Sequence, residues 1–231
     1  MNLCLQCRRR LLTCVCSSIV PFETNARFII LMHPMEYKKE KVGTGRFSHL
    51  ILKNSRVIVD VNFDENTEFR QALLDPEYES FVLYPGENSR NLSQMGPGEL
   101  SGKPKQIFVI DGTWPCAKKM MKLTTHLHDI PRISFTTDRV SEFSVKHQPL
   151  PGCLSTSESL HQVILELNRL GLEATNGLEE NLMEVFRKTV SQQIELASDP
   201  TKNRYRPKAY RPPEERKISR KWEDRSVFFK N

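Results

Sequence analysis

The stretch 105-KQIFVIDGTWPC-116 decides the fold of this chain, because an apolar run in it ends abruptly in an acid, a glycine and an indole. The apolar residues are continuous rather than alternating with polar ones, which is typical of a strand buried on both faces of a parallel sheet. Gly112 permits a tight turn, and Pro115 suits the first turn of a helix. The stretch therefore predicts a buried strand over 105–112 that leads directly into a helix.

The rest of the chain repeats this alternation. Further strands are predicted at 27–32, 55–63, 80–85 and 132–136, and segments of helical composition at 36–53, 66–74 and 115–129. Two amphipathic helices follow, one that ends near Gly171 and one over 177–197. The stretch 86–104, rich in Gly, Pro and Ser, predicts a long loop. Strands alternating with helices predict an α/β fold, a parallel sheet with flanking helices.

Length and composition limit the function classes. The 231 residues support one compact domain with appendages or two small domains. No uncharged apolar run reaches the 18 or so residues of a membrane span, and the amino terminus has no signal-peptide pattern. We therefore predict a cytoplasmic protein, or a nuclear one in a eukaryote, without a membrane partner. In such a reducing compartment, the six cysteines are thiols or metal ligands rather than disulfides.

The net charge of +6 is concentrated at the carboxyl terminus. Residues 202–231 contain 11 Lys or Arg against four Asp or Glu, so the remainder of the chain is nearly neutral. A neutral body with a basic tail is typical of proteins that bind polyanions, although a solubilising tail has the same composition. We predict an extended basic tail over 201–231, whose Tyr205, Tyr210 and Trp222 could stack on unpaired bases.

Four cysteines near the amino terminus have the spacing of a metal site: Cys4, Cys7, Cys14 and Cys16. Four thiolates within thirteen residues can surround one Zn²⁺ tetrahedrally and leave no open position for chemistry, so the site would be structural. The three arginines at 8–10 lie between the cysteine pairs and are expected to point outward. We predict a zinc knuckle over 1–20, with incidental thiols or a redox pair as the alternative.

Polar and turn-forming residues follow three of the predicted strands. They are His33-Pro34, Tyr84-Pro85-Gly86 and Asp111-Gly112-Thr113-Trp114. Open α/β sheets bind ligands at the carboxyl ends of their strands, so the three stretches predict one shared site. At Asp111 an ordinary interpretation is equally good: an N-cap, a tryptophan that fills the core and two solvated lysines. Ser155 and Glu158 likewise have the spacing of a capping box before an apolar helix.

Together, these motifs resemble the DTW-domain family. Residues 111–114 are similar to its D-x-T-W signature, and residues 33–36 and 154–158 resemble its H-P-x-E and L-S-T-x-E motifs. Residues 44–46 and 83–85 lie where the family has T-G-R and an L-aromatic-P turn. The resemblance covers about 1–197, and it predicts a catalytic domain over 21–200 between the zinc knuckle and the tail.

The resemblance implies a SPOUT-like sheet with a C-terminal trefoil knot that binds S-adenosylmethionine. It implies an enzyme that transfers the 3-amino-3-carboxypropyl group of this cosubstrate to N3 of a tRNA uridine and releases 5′-methylthioadenosine. Asp111 is expected to be catalytic, either as the base that takes the N3 proton or as an electrostatic anchor for the cationic donor. Residues expected to bind the cosubstrate are Leu83, Tyr84, Pro85, Gly86, Thr113, Trp114, Leu154, Ser155, Thr156 and Glu158. Residues expected to border the uridine or to hold the tRNA are His33, Glu36, Arg46, Lys118 and Lys119.

Two other functions stay open on the sequence. A tRNA methyltransferase of knotted fold would use the same cosubstrate and direct the attack to a different carbon. A non-catalytic zinc-dependent RNA-binding module would use the knuckle and the tail alone. The sequence leaves open the oligomeric state and which uridine is modified.

Overall fold

A six-stranded sheet forms the centre of the protein, in a computed structural model that describes residues 3–39, 43–145, 153–199 and 212. The strands are β1 (Arg27–Met32), β2 (Ser55–Val59), β3 (Glu79–Leu83), β4 (Arg90–Asn91), β5 (Lys105–Asp111) and β6 (Arg132–Ser134). Their order across the sheet is β2-β1-β5-β3-β6-β4, and these strands pair in parallel throughout. The predicted parallel α/β sheet is therefore confirmed.

Helices cover both faces of this sheet. They are α1 (Pro34–Lys39), α2 (Thr44–Ile51), α3 (Thr67–Leu73), α4 (Trp114–Leu123), α5 (Thr156–Arg169) and α6 (Glu180–Ser198). Buried side chains of α2, α5 and α6 belong to one apolar cluster, and those of α3 and α4 belong to a second cluster. The sheet therefore lies between two helical layers, as expected when strands are joined by helical crossovers.

The side chains of β1 show why its apolar run has no polar residues between its apolar ones. Phe28 and Ile30 enter the first cluster, whereas Ile29 and Leu31 enter the second. Successive residues of a strand point to opposite faces, and both faces are covered here. All six residues of β1 are accordingly buried.

The strand β5 lies between β1 and β3 and brings three strand ends together. Met32, the last residue of β1, is paired with Asp111, the last residue of β5, and Leu83 at the end of β3 is paired with Val109. In a parallel sheet these carboxyl ends lie at the same end of the strands. The segments that leave them, from His33, from Asp111 and from Tyr84, therefore start side by side.

Two predicted helices are shorter than the sequence suggested. The segment 36–53 contains two helices, α1 and α2, and Gly43 is the N-cap of the second. The segment 115–129 forms α4 and then a single 3-10 turn, Thr125–His128. That turn forms because the carboxylate of Asp64 accepts hydrogen bonds from the N–H groups of Thr125 and His126, at 2.9 and 3.2 Å. These bonds compete with the continuation of the helix.

Two predicted extended segments also differ from the structure. The strand predicted over 55–63 ends at Val59, because the carboxylate of Asp60 accepts a 2.8 Å hydrogen bond from the Val61 N–H and turns the chain. Phe63 is buried in the cluster on the α3 and α4 face. The long loop predicted over 86–104 contains the short strand β4 and a 3-10 helix, Leu92–Gln94.

The boundaries of α5 agree with the sequence. Its N-cap is Ser155, whose hydroxyl accepts a hydrogen bond from the N–H of Glu158 while the carboxylate of Glu158 accepts one from the N–H of Ser155. This is the predicted capping box. At the other end the chain turns at Gly171, whose φ of 73° lies in the left-handed region that glycine favours.

Several predictions fall outside the described residues. The basic tail, with Tyr205, Tyr210 and Trp222, lies outside the described residues except at residue 212. Residues 146–152 lie between β6 and α5, so the trefoil knot and the SPOUT-like classification stay predictions. Among the described residues, no helix combines the length and the apolar character that crossing a membrane requires.

Candidate active site

The four predicted metal-ligating cysteines converge at the amino-terminal end of the described chain. Their sulfur atoms lie within 4.8 Å of one another, with 3.6 Å from Cys4 to Cys16 and 3.7 Å from Cys7 to Cys14. Zinc–sulfur bonds of about 2.3 Å in a tetrahedron place the sulfurs roughly 3.8 Å apart. The cluster could therefore hold an ion of this size, as predicted.

Backbone N–H groups stabilise the thiolate form of one of these cysteines, which is the form that binds metal ions. The N–H groups of Cys7 and Gln6 stabilise the thiolate of Cys4 and lower the pKa of its thiol to about 6. Metal ions bind the thiolate rather than the thiol, so such N–H groups favour coordination.

The segment that carries the cysteines packs against α6 and the core. The side chains of Cys7 and Val15 are buried in the larger apolar cluster. Asn181 at the start of α6 accepts a hydrogen bond from the N–H of Val20 and donates one to the carbonyl of Ser18, both at 2.9 Å. The knuckle is therefore held in a fixed position on the sheet domain.

The prediction that the three arginines of this segment point outward is wrong for Arg9. Its side chain is buried against α6, where the guanidinium donates to the hydroxyl of Thr189 at 2.8 Å and to the side-chain carbonyl of Gln192 at 3.0 Å. Burial lowers the pKa of Arg9, and the nearby thiols of Cys7 and Cys14 oppose that shift. Arg9 is thus a structural residue that anchors the knuckle, whereas Arg8 is exposed.

Asp111 lies where the carboxyl ends of β1, β5 and β3 meet. Its side chain is only 5% exposed, and its Oδ1 accepts a 2.5 Å hydrogen bond from the hydroxyl of Thr156. Thr156 is the first residue of α5, in the L-S-T-x-E stretch. The D-x-T-W and L-S-T-x-E motifs, which are far apart in the sequence, therefore meet at this carboxylate.

Gly45 in the T-G-R stretch lies against the other oxygen of Asp111. A Cβ added at residue 45 would come within 2.6 Å of Oδ2 of Asp111 and within 3.1 Å of the Ile30 side chain. Such distances are too short for any side chain other than hydrogen. The glycine is therefore required for the close approach of α2 to the carboxylate.

His33 completes the end of β1. Its N–H donates a 2.9 Å hydrogen bond to the carbonyl of Asp111, and its Nδ1 accepts one from the N–H of Met35 at 3.1 Å. Burial and the charge of Lys119 lower the pKa of His33. The ring is therefore neutral at pH 7, and since Nδ1 is an acceptor, its single proton is on Nε2.

Arg46 adds a positive charge beside this carboxylate. Its guanidinium donates to the carbonyl of Tyr37 at 2.5 Å and lies 5.1 Å from the centroid of the Tyr37 ring. Burial and the charge of Arg8 lower the pKa of Arg46, whereas the charge of Asp111 opposes the shift. Arg46 is therefore near enough to Asp111 for the two charges to interact.

The remaining residues expected on the uridine side differ in exposure. Glu36 on α1 is buried, whereas Lys118 and Lys119 on α4 are exposed. On the same helix Thr113 occupies the N-cap position, but its side chain makes no capping hydrogen bond. Trp114 is half-buried at the first turn. The start of α4 thus presents its lysines to solvent, as the sequence suggested.

The turn at 84–86 packs against β6. The guanidinium of Arg132 lies 5.8 Å from the centroid of the Tyr84 ring, and a Cβ at Gly86 would come within 3.3 Å of the same guanidinium. Burial raises the pKa of Tyr84, and the charge of Arg132 opposes the shift. Leu83 is half-buried and Pro85 is exposed. The turn therefore follows the end of β3, the strand that pairs with β5 and so lies next to the strand that ends in Asp111.

A cavity of about 340 Å³ lies on the other side of the first turn of α5. Leu154 and Glu158, both from the L-S-T-x-E stretch, contribute to its lining, and Met183 on α6 adds an apolar surface. Two arginines and a glutamate supply charge: Arg139, Glu142 and Arg187. Its volume lies in the range of small-molecule sites. The start of α5 therefore contacts Asp111 through Thr156 and this cavity through its neighbours.

The chain matches one known protein family over most of its length. The model of the DTW domain matches residues 1–194. The chain belongs to the DTW-domain family. The match includes the four cysteines of the knuckle as well as the sheet domain.

Curated relatives of this DTW-domain protein carry a common name. A Drosophila melanogaster protein named tRNA-uridine aminocarboxypropyltransferase 2 is 28% identical over 173 residues, which cover 72% of this chain and 66% of the relative. A Mus musculus protein of the same name is 26% identical over 196 residues, covering 83% of this chain and 63% of the relative. An Arabidopsis thaliana protein named tRNA-uridine aminocarboxypropyltransferase A is 23% identical over 215 residues, or 80% of each chain. This chain spans 63–66% of the length of the insect and mouse relatives, and no solved structure gives a significant match.

Sequence reasoning missed several residues of this DTW-domain site. Tyr37 was not singled out, because one tyrosine among lysines gives no periodic or spacing signal. The segment 139–142, which contributes to the lining of the cavity, has no motif spacing that indicates a site. Thr156 was expected to contact the cosubstrate rather than Asp111, and no local pattern indicates a contact between residues so far apart in the sequence.

Proposed function

We propose that this DTW-domain protein transfers the 3-amino-3-carboxypropyl group of S-adenosylmethionine to N3 of a uridine in tRNA. The observation that carries the proposal is the hydrogen bond between Thr156 and Asp111, because it assembles two family motifs around one buried carboxylate. The names of the curated relatives support the same reaction.

The proposed reaction requires one bond to form and one to break. N3 of uridine attacks the methylene carbon of the aminocarboxypropyl arm, the bond from that carbon to sulfur breaks, and 5′-methylthioadenosine leaves as a neutral thioether. The N3 proton passes to the carboxylate of Asp111. A base near the attacking nitrogen helps because the uridine N3–H is a weak acid. The choice among the three activated carbons depends on positioning alone.

The surroundings of Asp111 suit this role. The Thr156 hydroxyl holds one carboxylate oxygen, and Gly45 leaves room for the other. With Thr156 bound to it, the carboxylate has a fixed orientation before any substrate arrives, which is what positioning requires. Its negative charge also favours the sulfonium of the donor.

We assign the donor to the surface formed by the start of α5, the turn at 84–86 and the start of α4. The capping box already uses the N–H groups of Ser155 and Glu158. The carbonyl groups from Ser155 onward accept the hydrogen bonds of α5, as in the 2.8 Å bond from the N–H of Ser159 to Ser155. We therefore assign to the donor the N–H groups of Thr156 and Ser157 and the apolar surface around Leu154. The cavity beside Leu154 and Glu158 lies next to this surface and provides space for the nucleoside part.

We assign the uridine and its tRNA to the opposite side of Asp111. His33 and Glu36 are buried near the end of β1 and border the base. Arg46 contacts Tyr37, the residue that follows Glu36. Lys118 and Lys119 are exposed on α4, where they can contact the phosphate backbone. The basic tail, outside the described residues, would add further backbone contacts.

We propose that the cysteine cluster holds a structural Zn²⁺. The sulfur–sulfur distances fit a tetrahedral site, and four protein ligands leave no position open for substrate. The ion would fix the fold of residues 3–20. We also propose the SPOUT-like knot, the boundaries 1–20, 21–200 and 201–231, and a cytoplasmic or nuclear location, where free thiols persist.

Nucleoside mass spectrometry tests the proposed function. The full chain is incubated with S-adenosylmethionine and a pool of unmodified tRNA transcripts, and the tRNA is digested to nucleosides. The expected products are 3-(3-amino-3-carboxypropyl)uridine and 5′-methylthioadenosine. A methylated uridine with S-adenosylhomocysteine would instead identify a methyltransferase. Tight tRNA binding without affinity for the donor would identify a non-catalytic module.

A further inference from the structure

Two arginines from different parts of the fold converge on the ring of Tyr37. The guanidinium carbon of Arg8, in the cysteine segment, lies 4.9 Å from the ring centroid, and that of Arg46, in α2, lies 5.1 Å from it. Both distances are within the range of cation–π contacts. A common centroid keeps the two charges within about 10 Å of each other, which is the Debye length at 0.1 M salt.

Arg8 owes its position to the fold of the cysteine segment. Its N–H donates a 2.9 Å hydrogen bond to the carbonyl of Cys4, and its φ of 56° lies in the left-handed region. A residue with a side chain adopts that conformation only where its surroundings hold it there. Those surroundings are the two neighbours of Arg8, namely the metal ligand Cys7 and the anchoring residue Arg9.

Arg46 connects the same ring to the reacting carboxylate. Its neighbour Gly45 packs on Asp111, and the charge of Asp111 acts on Arg46. Tyr37 therefore lies between the cysteine segment and the edge of the sheet that carries Asp111. Arg8 is exposed, so an anion from outside can reach its guanidinium.

We propose that Arg8 and Arg46 together bind one backbone phosphate beside the target uridine, and that the metal in the knuckle places Arg8 for this role. The proposal rests on the proposed function and gives the knuckle a part in positioning the substrate. A phosphate offsets the repulsion between two like charges, and each guanidinium can donate two parallel hydrogen bonds to it. Tyr37 keeps the two guanidiniums in place while the phosphate is absent. Arg8 is thus a positioning residue for the reaction.

Binding of the tRNA pool by zinc-loaded protein tests the contact itself. We expect Arg8→Gln to weaken binding about three- to tenfold. The slope of log affinity against log salt should fall by no more than about 0.7–0.9, the value for one phosphate, because Arg46 still contacts the same phosphate. The control is Arg56→Gln, which removes the same charge from an exposed residue near the amino-terminal end of β2. Arg8→Lys keeps the charge without the planar fork, and it should recover part of the affinity. An Arg8→Gln variant with the affinity and the salt slope of the wild type would overturn the proposal.

The role of the metal is tested by a thermodynamic cycle. Removing the zinc with a chelator should weaken tRNA binding, and in the metal-free protein Arg8→Gln should have no further effect. Circular dichroism shows whether the metal-free protein keeps its fold. If the metal-free protein unfolds, a second cycle is measured in the zinc-loaded protein with Tyr37→Leu. The loss of tRNA affinity in the double variant should again be smaller than the sum of the losses in Tyr37→Leu and Arg8→Gln. Additive losses of tRNA affinity in the cycle with the chelator would show that Arg8 acts independently of the knuckle. Additive losses in the cycle with Tyr37→Leu would show that it acts independently of the ring.

Steady-state kinetics separate this proposal from the proposed function. Arg8→Gln should raise KM for tRNA about as much as it weakens binding, while kcat and the affinity for S-adenosylmethionine stay near the wild-type values. If the wild-type chain forms no aminocarboxypropyl-uridine, the proposed function fails. If the wild-type chain forms it and Arg8→Gln has an unchanged KM, the proposed function stands and the phosphate site is wrong.

Discussion

The hydroxyl of Thr156 donates a 2.5 Å hydrogen bond to the carboxylate of Asp111, across a sequence separation of 45 residues. One partner ends the central strand β5 and the other begins α5. A residue at a strand end is held by the sheet, and a residue in the first turn of a capped helix is held by the cap. The carboxylate of Asp111 is therefore held from two independent parts of the fold.

The first prediction concerns the role of Asp111 as a base. Asp111→Asn keeps the shape of the side chain and the acceptor for Thr156, but it cannot take a proton. We expect turnover to fall about 10²- to 10⁴-fold, the range of general-base contributions. Nucleoside mass spectrometry measures the product, and calorimetry should show that S-adenosylmethionine still binds. Unchanged turnover would assign the proton to another group.

The second prediction concerns the hydrogen bond itself. Thr156→Val keeps the shape of the residue and removes the hydroxyl, so a buried carboxylate loses one donor. We expect unfolding to become easier by about 1.5–3 kcal/mol, as for other hydrogen bonds to charged groups, together with a lower kcat. Urea denaturation and initial rates measure the two effects. Thr156→Ser keeps the hydroxyl and is the control, so equal losses in both variants would contradict the assignment.

The third prediction concerns the approach of α2 to the site. Gly45→Ala places a Cβ only 2.6 Å from Oδ2 of Asp111, so the carboxylate or the helix must move. We expect a strong loss of activity, with a stability cost of about 1–3 kcal/mol, which is typical of overpacking. Gly102→Ala is the control, because a Cβ there meets no atom within 4 Å. Full activity of Gly45→Ala would show that this close contact is unimportant for the reaction.

The fourth prediction concerns the pH dependence of stability. Burial opposes ionisation of Asp64, but hydrogen bonds from His126 and Thr125 outweigh it and lower the pKa of Asp64. A depressed pKa means that this contribution is complete above the unfolded-state pKa of aspartate, about 3.9, and is lost as the pH falls further. The wild type should therefore exceed Asp64→Asn in unfolding free energy near neutral pH, and the difference should shrink below about pH 4. Urea denaturation at several pH values measures it, and a difference that grows toward low pH would contradict the assigned sign.

The fifth prediction concerns the anchor of the knuckle. Arg9→Met keeps the apolar stem but leaves the hydroxyl of Thr189 and the carbonyl of Gln192 without their donor. We expect a loss of about 1–3 kcal/mol in the unfolding free energy of the zinc-loaded protein. Arg56→Met, at an exposed residue of β2, should change stability by less than about 0.5 kcal/mol. Equal effects of the two substitutions would show that Arg9 is not an anchor.

The sheet and its buried strands could be predicted because burial on both faces has a direct sequence pattern. The residues 28–32 are apolar at successive positions, as a strand covered on both faces requires. The end of α5 at Gly171 and its capping box were predictable for a similar reason, since both depend on residues close in sequence. Local signals therefore predicted most of the elements.

What the sequence did not reveal depends on tertiary contacts. Three consecutive arginines suggest solvent exposure, yet Arg9 is buried because α6, about 180 residues away, supplies the acceptors. Gly45, near the start of α2, packs against Asp111, and that carboxylate comes from a distant strand. Local composition carries no record of either partner.

The position of β5 has a consequence for folding. Within the described sheet it is the strand that pairs with both β1 and β3, so it joins two halves that otherwise share no strand pairing. Residues 105–111 are synthesised after β1, β2 and β3, and pairing between such distant segments forms slowly. The pairing of β5 therefore joins the two halves of the sheet and positions the carboxylate of Asp111 in the same step.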